Sequence, residues 1–429
     1  MKILHLSTSD LDGGASRAAY RLHEGLKKIA LDSQMLVRAK DSIDSNVIAD
    51  KSFFTKLGPP TNSFPLRFYP QRQKTRFSAQ WFRDTICRRV KELDPDVIVL
   101  HWICNGFIQI ETLAKFEKPI IWTLHDMWPL TGGCHYNGDC KRFQESCGNC
   151  PQLKSSRSWD LSRWVWQRKA KAWKGLNLTI VSPSKWLADQ ALSSSLFSNL
   201  RIEVIPYGLN LQKYQPIPQQ IARQILQLSL DKKLILFGAS PGTTGDPRKG
   251  FQFLESALQL LRKSCQKDEI ELVIFGAGDS QNSRELAFKA RYLGQFNDDI
   301  SLSLIYAAAD VFVAPSVQDN LPNTIIEALA CGTPCVAFNI GGMPDMIDHL
   351  QNGYLAKPFK TEDLAKGIVW VLSDKDRLSQ LRHQARSKVE REFFLELQAS
   401  RYLSLFEQLT NKKQSLTDIT EKTTIYDSV

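Results

Sequence analysis

The sequence has no long apolar run. None of its stretches approaches the ~18–20 consecutive apolar residues of a membrane-spanning helix, which excludes a helical integral membrane protein. The opening MKILHLSTSD carries one lysine and too short an apolar segment for a secretory leader, so the expected location is the cytoplasm, at most the inner face of its membrane. The pattern G-x4-G-K-[ST] is absent, which excludes a Walker-type phosphate loop. No D-x-D element stands where it would suit a metal, and no carboxylate pair of the hydrolase kind is visible. Disulfides are not expected either. In a cytoplasmic chain the nine cysteines read as free thiols or metal ligands.

What is present is ordinary in bulk. With 43% apolar and 23% charged residues the chain is a globular protein, and 429 residues suffice for two domains with separate cores. The formal charge of +10 points to an anionic partner: a nucleotide, a phospholipid surface or nucleic acid. Charge alone does not choose among them.

Strand and helix signals alternate twice. MKILHLS, then a glycine turn, then ASRAAYRLHEGLKKIA reads as strand, turn and helix, with Ala18, Leu22 and Leu26 on one helical face. PDVIVLHW, KPIIWTLHD, LNLTIVSPS and IEVIPYG are continuous apolar runs of the kind buried on both faces of a parallel sheet. Proline and polar residues over 206–218 mark a linker. KKLILFGAS, IELVIFGAG, DVFVAPS and TPCVAF then repeat the pattern with helices between them. The expected class is α/β: two Rossmann-like domains, over 1–208 and 209–385, facing across a cleft. A helix over 386–410 is expected to pack back on the first domain, followed by a disordered tail, 411–429.

Two stretches of the second half carry candidate chemistry. LFGASPGTTGDPRKGF places Arg248 and Lys249 after a glycine-rich loop at the start of a helix, a cradle for anions. In DNLPNTIIEALACGTP, Asp319 precedes a helix and Glu327 lies inside it. A buried carboxylate needs a partner, and the hydroxyls of a ribose or sugar would supply one.

These segments, in this order with NGYLA after them and GGASRAAYRL, TLHD, SPSKWLADQ and VIPYGLN before them, resemble the retaining family-four (group 1) glycosyltransferases of GT-B fold. The resemblance covers roughly residues 1–400. It implies sugar transfer from a nucleotide-sugar donor without a required metal. By resemblance, Glu327 would bind the donor ribose, Asp319 would stand near the transferred sugar, and Lys249 would bind phosphate. Asn320, Leu321, Pro322 and Asn323 would hold sugar and phosphate through backbone amides. His125 would lie beside the reacting sugar, and Gly13 and Gly14 would approach the donor phosphate. Two departures stand out. The first acid is Asp where the family usually has Glu, and Gly238 is followed by Ala239 where an arginine is common. Arg248 or Arg17 would take over that arginine's part.

The stretch after His125 holds Cys134, Cys140, Cys147 and Cys150, with His135 as a spare ligand. The C-x5-C-x6-C-x2-C spacing suits a structural zinc, or else a reduced scaffold loop. HDMWPLTGGCHY is similar to a subset of these transferases that build bacterial exopolysaccharides such as colanic acid, where the insertion would shape the acceptor side. Beyond it, Trp159, Trp166 and Trp173 recur at helical spacing among Arg163, Arg168, Lys169, Lys171 and Lys174. With FYPQRQKTRFSAQWF upstream, this suits either core packing or contact with an anionic membrane and a lipid-linked acceptor. A non-catalytic sugar-nucleotide or carbohydrate-binding protein on the same fold is the alternative. Nucleic acid is not an expected partner, for want of a compact basic motif with stacking aromatics.

Overall fold

The computed structural model describes residues 1–238, 246–263, 269–276, 286–296 and 298–426, with side chains as far as Thr410. The glycine-rich stretch 239–245 of the expected phosphate loop lies outside the described residues, as do the side chains of the expected tail, 411–429. The chain divides into two units, one of Met1–Ile205 with Glu396–Val429 and one of Pro206–Leu395.

The first unit holds a seven-stranded parallel sheet. Its strands are β1 (Lys2–Ser9), β2 (Asp32–Ala39), β3 (Val47–Ala49), β4 (Val97–Leu100), β5 (Ile120–Thr123), β6 (Leu178–Ser182) and β7 (Arg201–Val204). They lie in the order β3-β2-β1-β4-β5-β6-β7. β4 reads VIVL and β5 IIWT, and every residue of these two strands is buried. One face is covered by helix Gly13–Lys28 through Leu22 and Leu26, and by the C-terminal helix Leu395–Tyr426 through Tyr402, Leu405 and Phe406. The Tyr402 hydroxyl is 2.7 Å from Thr123 Oγ1, which anchors that helix on β5. On the other face Trp122, Trp128, Trp173 and Phe197 form an aromatic core, with Trp122 and Trp173 edge to face at 5.0 Å.

The second unit repeats the plan with β8 (Lys233–Gly238), β9 (Ile270–Phe275), β10 (Lys289–Tyr292), β11 (Val311–Ala314), β12 (Cys335–Phe338) and β13 (Gly353–Ala356). The order is β10-β9-β8-β11-β12-β13. In each sheet the strand order reverses once, between β1 and β4 and between β8 and β11. Ligands of open α/β sheets bind outside the carboxyl ends of the strands at such a point.

The chain returns to the first unit later than position 386. Helix Lys375–Glu392 stays in the second unit, where Leu381 joins the core and Arg386 donates to the Tyr214 and Ala330 carbonyls. Leu209 then clamps the next segment, with its N–H on Phe393 O at 2.8 Å and its carbonyl accepting from Leu395 N at 3.1 Å. The crossing therefore falls after Leu395.

Candidate functional site

In the second unit the reversal point brings two loops together. The turn Asp246–Gly250 precedes helix Phe251–Leu261, and the loop after β11 leads into helix Asn323–Ala330. Arg248 O accepts from Val317 N at 2.8 Å, zipping the turn to the loop. Gly250 closes the turn in the left-handed region, φ 73°, and a Cβ there would overlap the Pro315 carbonyl oxygen. Glycine is required on both counts.

This clamp puts the Lys249 ammonium 2.6 Å from Asp319 Oδ2, with Arg248 Nη1 3.3 Å from the same oxygen. Arg248 also donates to Gln318 O at 3.1 Å, and Asp319 Oδ1 accepts from Asn320 N at 3.1 Å. Burial pushes the Asp319 carboxyl up. Lys249, Arg248 and the Asn320 N–H outweigh it and hold the group at about 2. The result is a fixed anion with two cations ordered around it.

Asn320 and Leu321 are buried, and Pro322 and Asn323 are half-buried where the chain enters the helix. Glu327, in the middle of that helix, is buried and accepts from the Tyr306 hydroxyl at 2.9 Å through Oε2. Tyr306 is itself wedged edge-on between Phe275 and Phe312. For that oxygen the partner of the buried carboxylate is a tyrosine of the protein.

In the first unit, Gly13 and Gly14 open helix Gly13–Lys28 immediately beyond β1, and Arg17 sits half-buried in its first turn. Asp10 shapes the approach, accepting from Asp41 N at 2.9 Å and Ser42 N at 3.0 Å. His125 lies two residues beyond β5. Burial pushes its imidazole down to about 4, against the opposing charge of Asp126. Its Nε2 is 3.0 Å from His101 Nδ1.

Asp126 and His101 went unnoticed in the sequence. Asp126 accepts from His135 Nδ1 at 2.6 Å, from Trp102 Nε1 at 2.9 Å and from Trp128 N at 2.9 Å. Both His135 nitrogens have protein partners here, since its Nε2 is 2.9 Å from Ser78 Oγ. This Asp–His pair ties the cysteine-bearing insertion to the chain immediately after His125.

The four cysteines line one small cavity together with Thr131, Phe143 and Ser162. Among the described residues, no three His, Cys, Asp or Glu side chains are placed to hold a metal ion. Burial pushes the Cys147 thiol up to about 12 and raises Cys134 and Cys150 as well, which favours the uncharged form of these three thiols. Gly132 packs so tightly that a Cβ would overlap the Ser162 carbonyl oxygen.

The tryptophans do not share one face. Trp159 precedes helix Leu161–Ala172 and is exposed, whereas Trp173 is buried in the aromatic core. Lys169 is buried too, donating to the Trp128 carbonyl and, at 2.9 Å, to Thr131 O. Arg168 pairs with Glu111 at 2.6 Å. Arg168 and Lys169 are thus spent on the helix's own domain, and the expected stripe does not run through Trp159 and Trp173 together. Among the described residues no helix is long and apolar enough to cross a membrane.

Comparison with known proteins agrees with this geometry. Residues 12–213 match the model described as Glycosyltransferase Family 4, and residues 232–374 match Glycosyl transferases group 1. An uncharacterized glycosyltransferase of Methanocaldococcus jannaschii is 29% identical over 46% of this chain and 51% of its own length. The UDP-Gal:α-D-GlcNAc-diphosphoundecaprenol α-1,3-galactosyltransferase of Escherichia coli is 28% identical over 41% of this chain and 46% of its own. The chain thus spans about half the length of these curated relatives. Sucrose-phosphate synthase of Thermosynechococcus elongatus shares the fold with a TM-score of 0.69 at 20% identity, covering 96% of this chain and 100% of that one. The chain belongs to the family 4, group 1 glycosyltransferases, and its two Rossmann-like sheets are those of the GT-B fold.

Proposed function

We propose that the chain transfers a sugar, with retention of configuration, from a nucleotide-sugar donor to a lipid-linked glycan acceptor in cell-surface or exopolysaccharide synthesis. The observation that carries this reading is the Arg248–Lys249–Asp319 cluster at the strand-order reversal of the second unit. A departing nucleoside diphosphate concentrates negative charge on its phosphate oxygens. Ordered cations stabilise that charge without reorganising during the reaction. Lysine has three N–H donors, so holding Asp319 is compatible with holding a phosphate oxygen. The two cations serve where other enzymes use a divalent metal, and the reaction is proposed to need none. Glu327, positioned by Tyr306, takes the ribose hydroxyls, and Asp319 lies near the transferred sugar.

The lipid-linked acceptor is supported by the named substrate of the Escherichia coli relative and by the charge of +10. Phe53, Phe64 and Phe68 also stand exposed, with the Arg67 guanidinium over the Phe64 ring at 5.7 Å. That is a basic and aromatic surface suited to anionic headgroups.

The test is purified protein against UDP-, GDP-, ADP- and dTDP-sugars with EDTA present, following thermal stabilisation and slow nucleoside-diphosphate release. One donor giving both signals, with both lost in Lys249→Ala and Glu327→Ala, supports the transferase. Stabilisation without release, even with lipid-linked acceptors supplied, would favour the sugar-nucleotide-binding alternative. No response to any donor would sink the donor-site assignment.

A further inference from the structure

We infer that Asp44 sets the tautomer of His125 through a buried relay of three further histidines and a serine, so that His125 presents Nδ1 as a hydrogen-bond acceptor. The inference rests on the proposed reading only in taking His125 as a site residue. The relay itself is independent of that.

The links are continuous. His125 Nε2 lies 3.0 Å from His101 Nδ1, and His101 Nε2 lies 2.9 Å from His5 Nδ1. His5 Nε2 is 3.1 Å from Ser33 Oγ, and that hydroxyl is 2.7 Å from His23 Nδ1. His23 Nε2 reaches Asp44 Oδ2 at 3.3 Å, where Lys27 Nζ closes the chain at 2.7 Å. His5, His23, His101 and Ser33 are all buried.

Sheet register explains the alignment. In parallel strands paired residues point to the same face, and so do residues two apart. His5 pairs with Val99 and Met35, and Val99 pairs with Ile121. Ser33 is two residues from Met35 and His101 is two from Val99. His125 is two beyond Thr123, which is itself two beyond Ile121. His5 and Ser33 therefore stand on one face of the sheet, the face covered by the helix that carries His23 and Lys27, and His101 and His125 follow the same alternation just beyond the ends of β4 and β5.

Direction follows from the ends. Burial pushes His23 and His125 down to about 4 and holds His5 and His101 well below the ordinary imidazole value. All four are neutral at neutral pH, each with one donor and one acceptor nitrogen. Burial raises the Asp44 carboxyl, but Lys27 and the Asn46 N–H more than offset this and keep it ionised. A carboxylate only accepts, so His23 must donate from Nε2 and take the Ser33 proton on Nδ1. Ser33 then accepts from His5, His5 from His101, and His101 from His125 Nε2–H. The reverse polarity would set the His23 lone pair against the Asp44 carboxylate. Asp44 is thus a positioning residue: it makes His125 select a group that donates, such as a sugar hydroxyl, over one that accepts. No proton needs to travel, since Lys27 stabilises the far carboxylate as the anion.

The test is 15N NMR of the full chain labelled at histidine, without donor, reading the protonated and unprotonated ring nitrogens of His125. The expected result is the Nε2–H form. In Asp44→Asn the side-chain amide can donate to His23 Nε2, and the His125 tautomer ratio should shift towards Nδ1–H by about tenfold, the scale of exchanging a charge-assisted for a neutral hydrogen bond. Ser33→Ala breaks the relay at a different link and should shift the ratio in the same direction. Nδ1–H in the unaltered protein, or an unchanged ratio in a folded variant, would overturn the inference. Nucleotide-sugar binding is not read, so failure of the proposed activity and failure of the relay are separate results.

Discussion

The Lys249 ammonium lies 2.6 Å from Asp319 Oδ2, in a turn zipped to the loop that carries Asp319. This contact makes the lysine a preorganised charge, since its position is set before any ligand arrives. Lys249→Gln should therefore lower kcat/KM by about 10²–10³, the loss typical of removing one preorganised group that stabilises transition-state charge. Steady-state kinetics with the cognate donor checks this. Because the two side chains touch, Lys249→Gln and Asp319→Asn should be non-additive by roughly 0.5–3 kcal/mol in a double-mutant cycle.

Gly250→Ala tests the clamp rather than the charge. The substitution meets both a left-handed φ of 73° and the Pro315 carbonyl. It should destabilise the protein by at least about 1–3 kcal/mol in chemical denaturation and weaken donor binding, although no ligand-contacting side chain has changed. Unaltered donor affinity in the variant would mean the turn need not be held against the β11 loop.

Glu327 and Tyr306 separate structure from recognition. Tyr306→Phe removes one hydrogen bond to Glu327 and should cost about 1 kcal/mol of stability, with little change in the nucleoside contact. On the proposed reading Glu327→Ala removes the acceptor for the ribose hydroxyls as well. It also leaves the buried tyrosine hydroxyl without this carboxylate, at a cost of about 1–3 kcal/mol. Nucleotide titration of the two variants should therefore diverge, with affinity lost chiefly in Glu327→Ala.

The buried histidines predict acid sensitivity. In the folded chain burial holds His23 and His125 at about 4, well below the ordinary 6.5, and holds His5 and His101 well below it too. The unfolded chain therefore binds more protons between these values. The stability these groups contribute is complete above about pH 6.5 and is lost as pH falls towards 4. The slope is about 1.4 kcal/mol per pH unit for each proton taken up. Urea midpoints at pH 7.5, 6 and 5 should fall steadily, and less so in a His5→Gln variant. A flat profile over this range would mean that the histidines are already charged in the fold.

Much of this was legible in the sequence, and the exceptions are instructive. Continuous apolar runs such as VIVL and IIWT announce strands buried on both faces, and they fold as β4 and β5. Arg248, Lys249 and Asp319 stand in quotable motifs, and the fold joins them. The histidine relay escaped notice because a lone histidine in an apolar strand reads as core polarity. Only register, a property of pairs of strands, shows His5, His101 and His125 on one face. The tryptophan stripe misled for the opposite reason. Its seven-residue spacing is helical, but the helix begins at Leu161, after Trp159, and Trp173 is drawn into the aromatic core around Trp122. Likewise, nothing local in the sequence marks Leu395 as the point of return, because the Leu209 pairing that holds it is a long-range backbone contact.

The most direct measurement is calorimetric titration of the full chain with UDP, GDP, ADP and dTDP in EDTA, with Lys249→Gln beside it. One nucleoside diphosphate should bind without metal, and its affinity should fall at least about tenfold in the variant, equivalent to about 1.4 kcal/mol. Equal affinity in the two proteins would contradict the assignment of the Arg248–Lys249–Asp319 cluster as the diphosphate site.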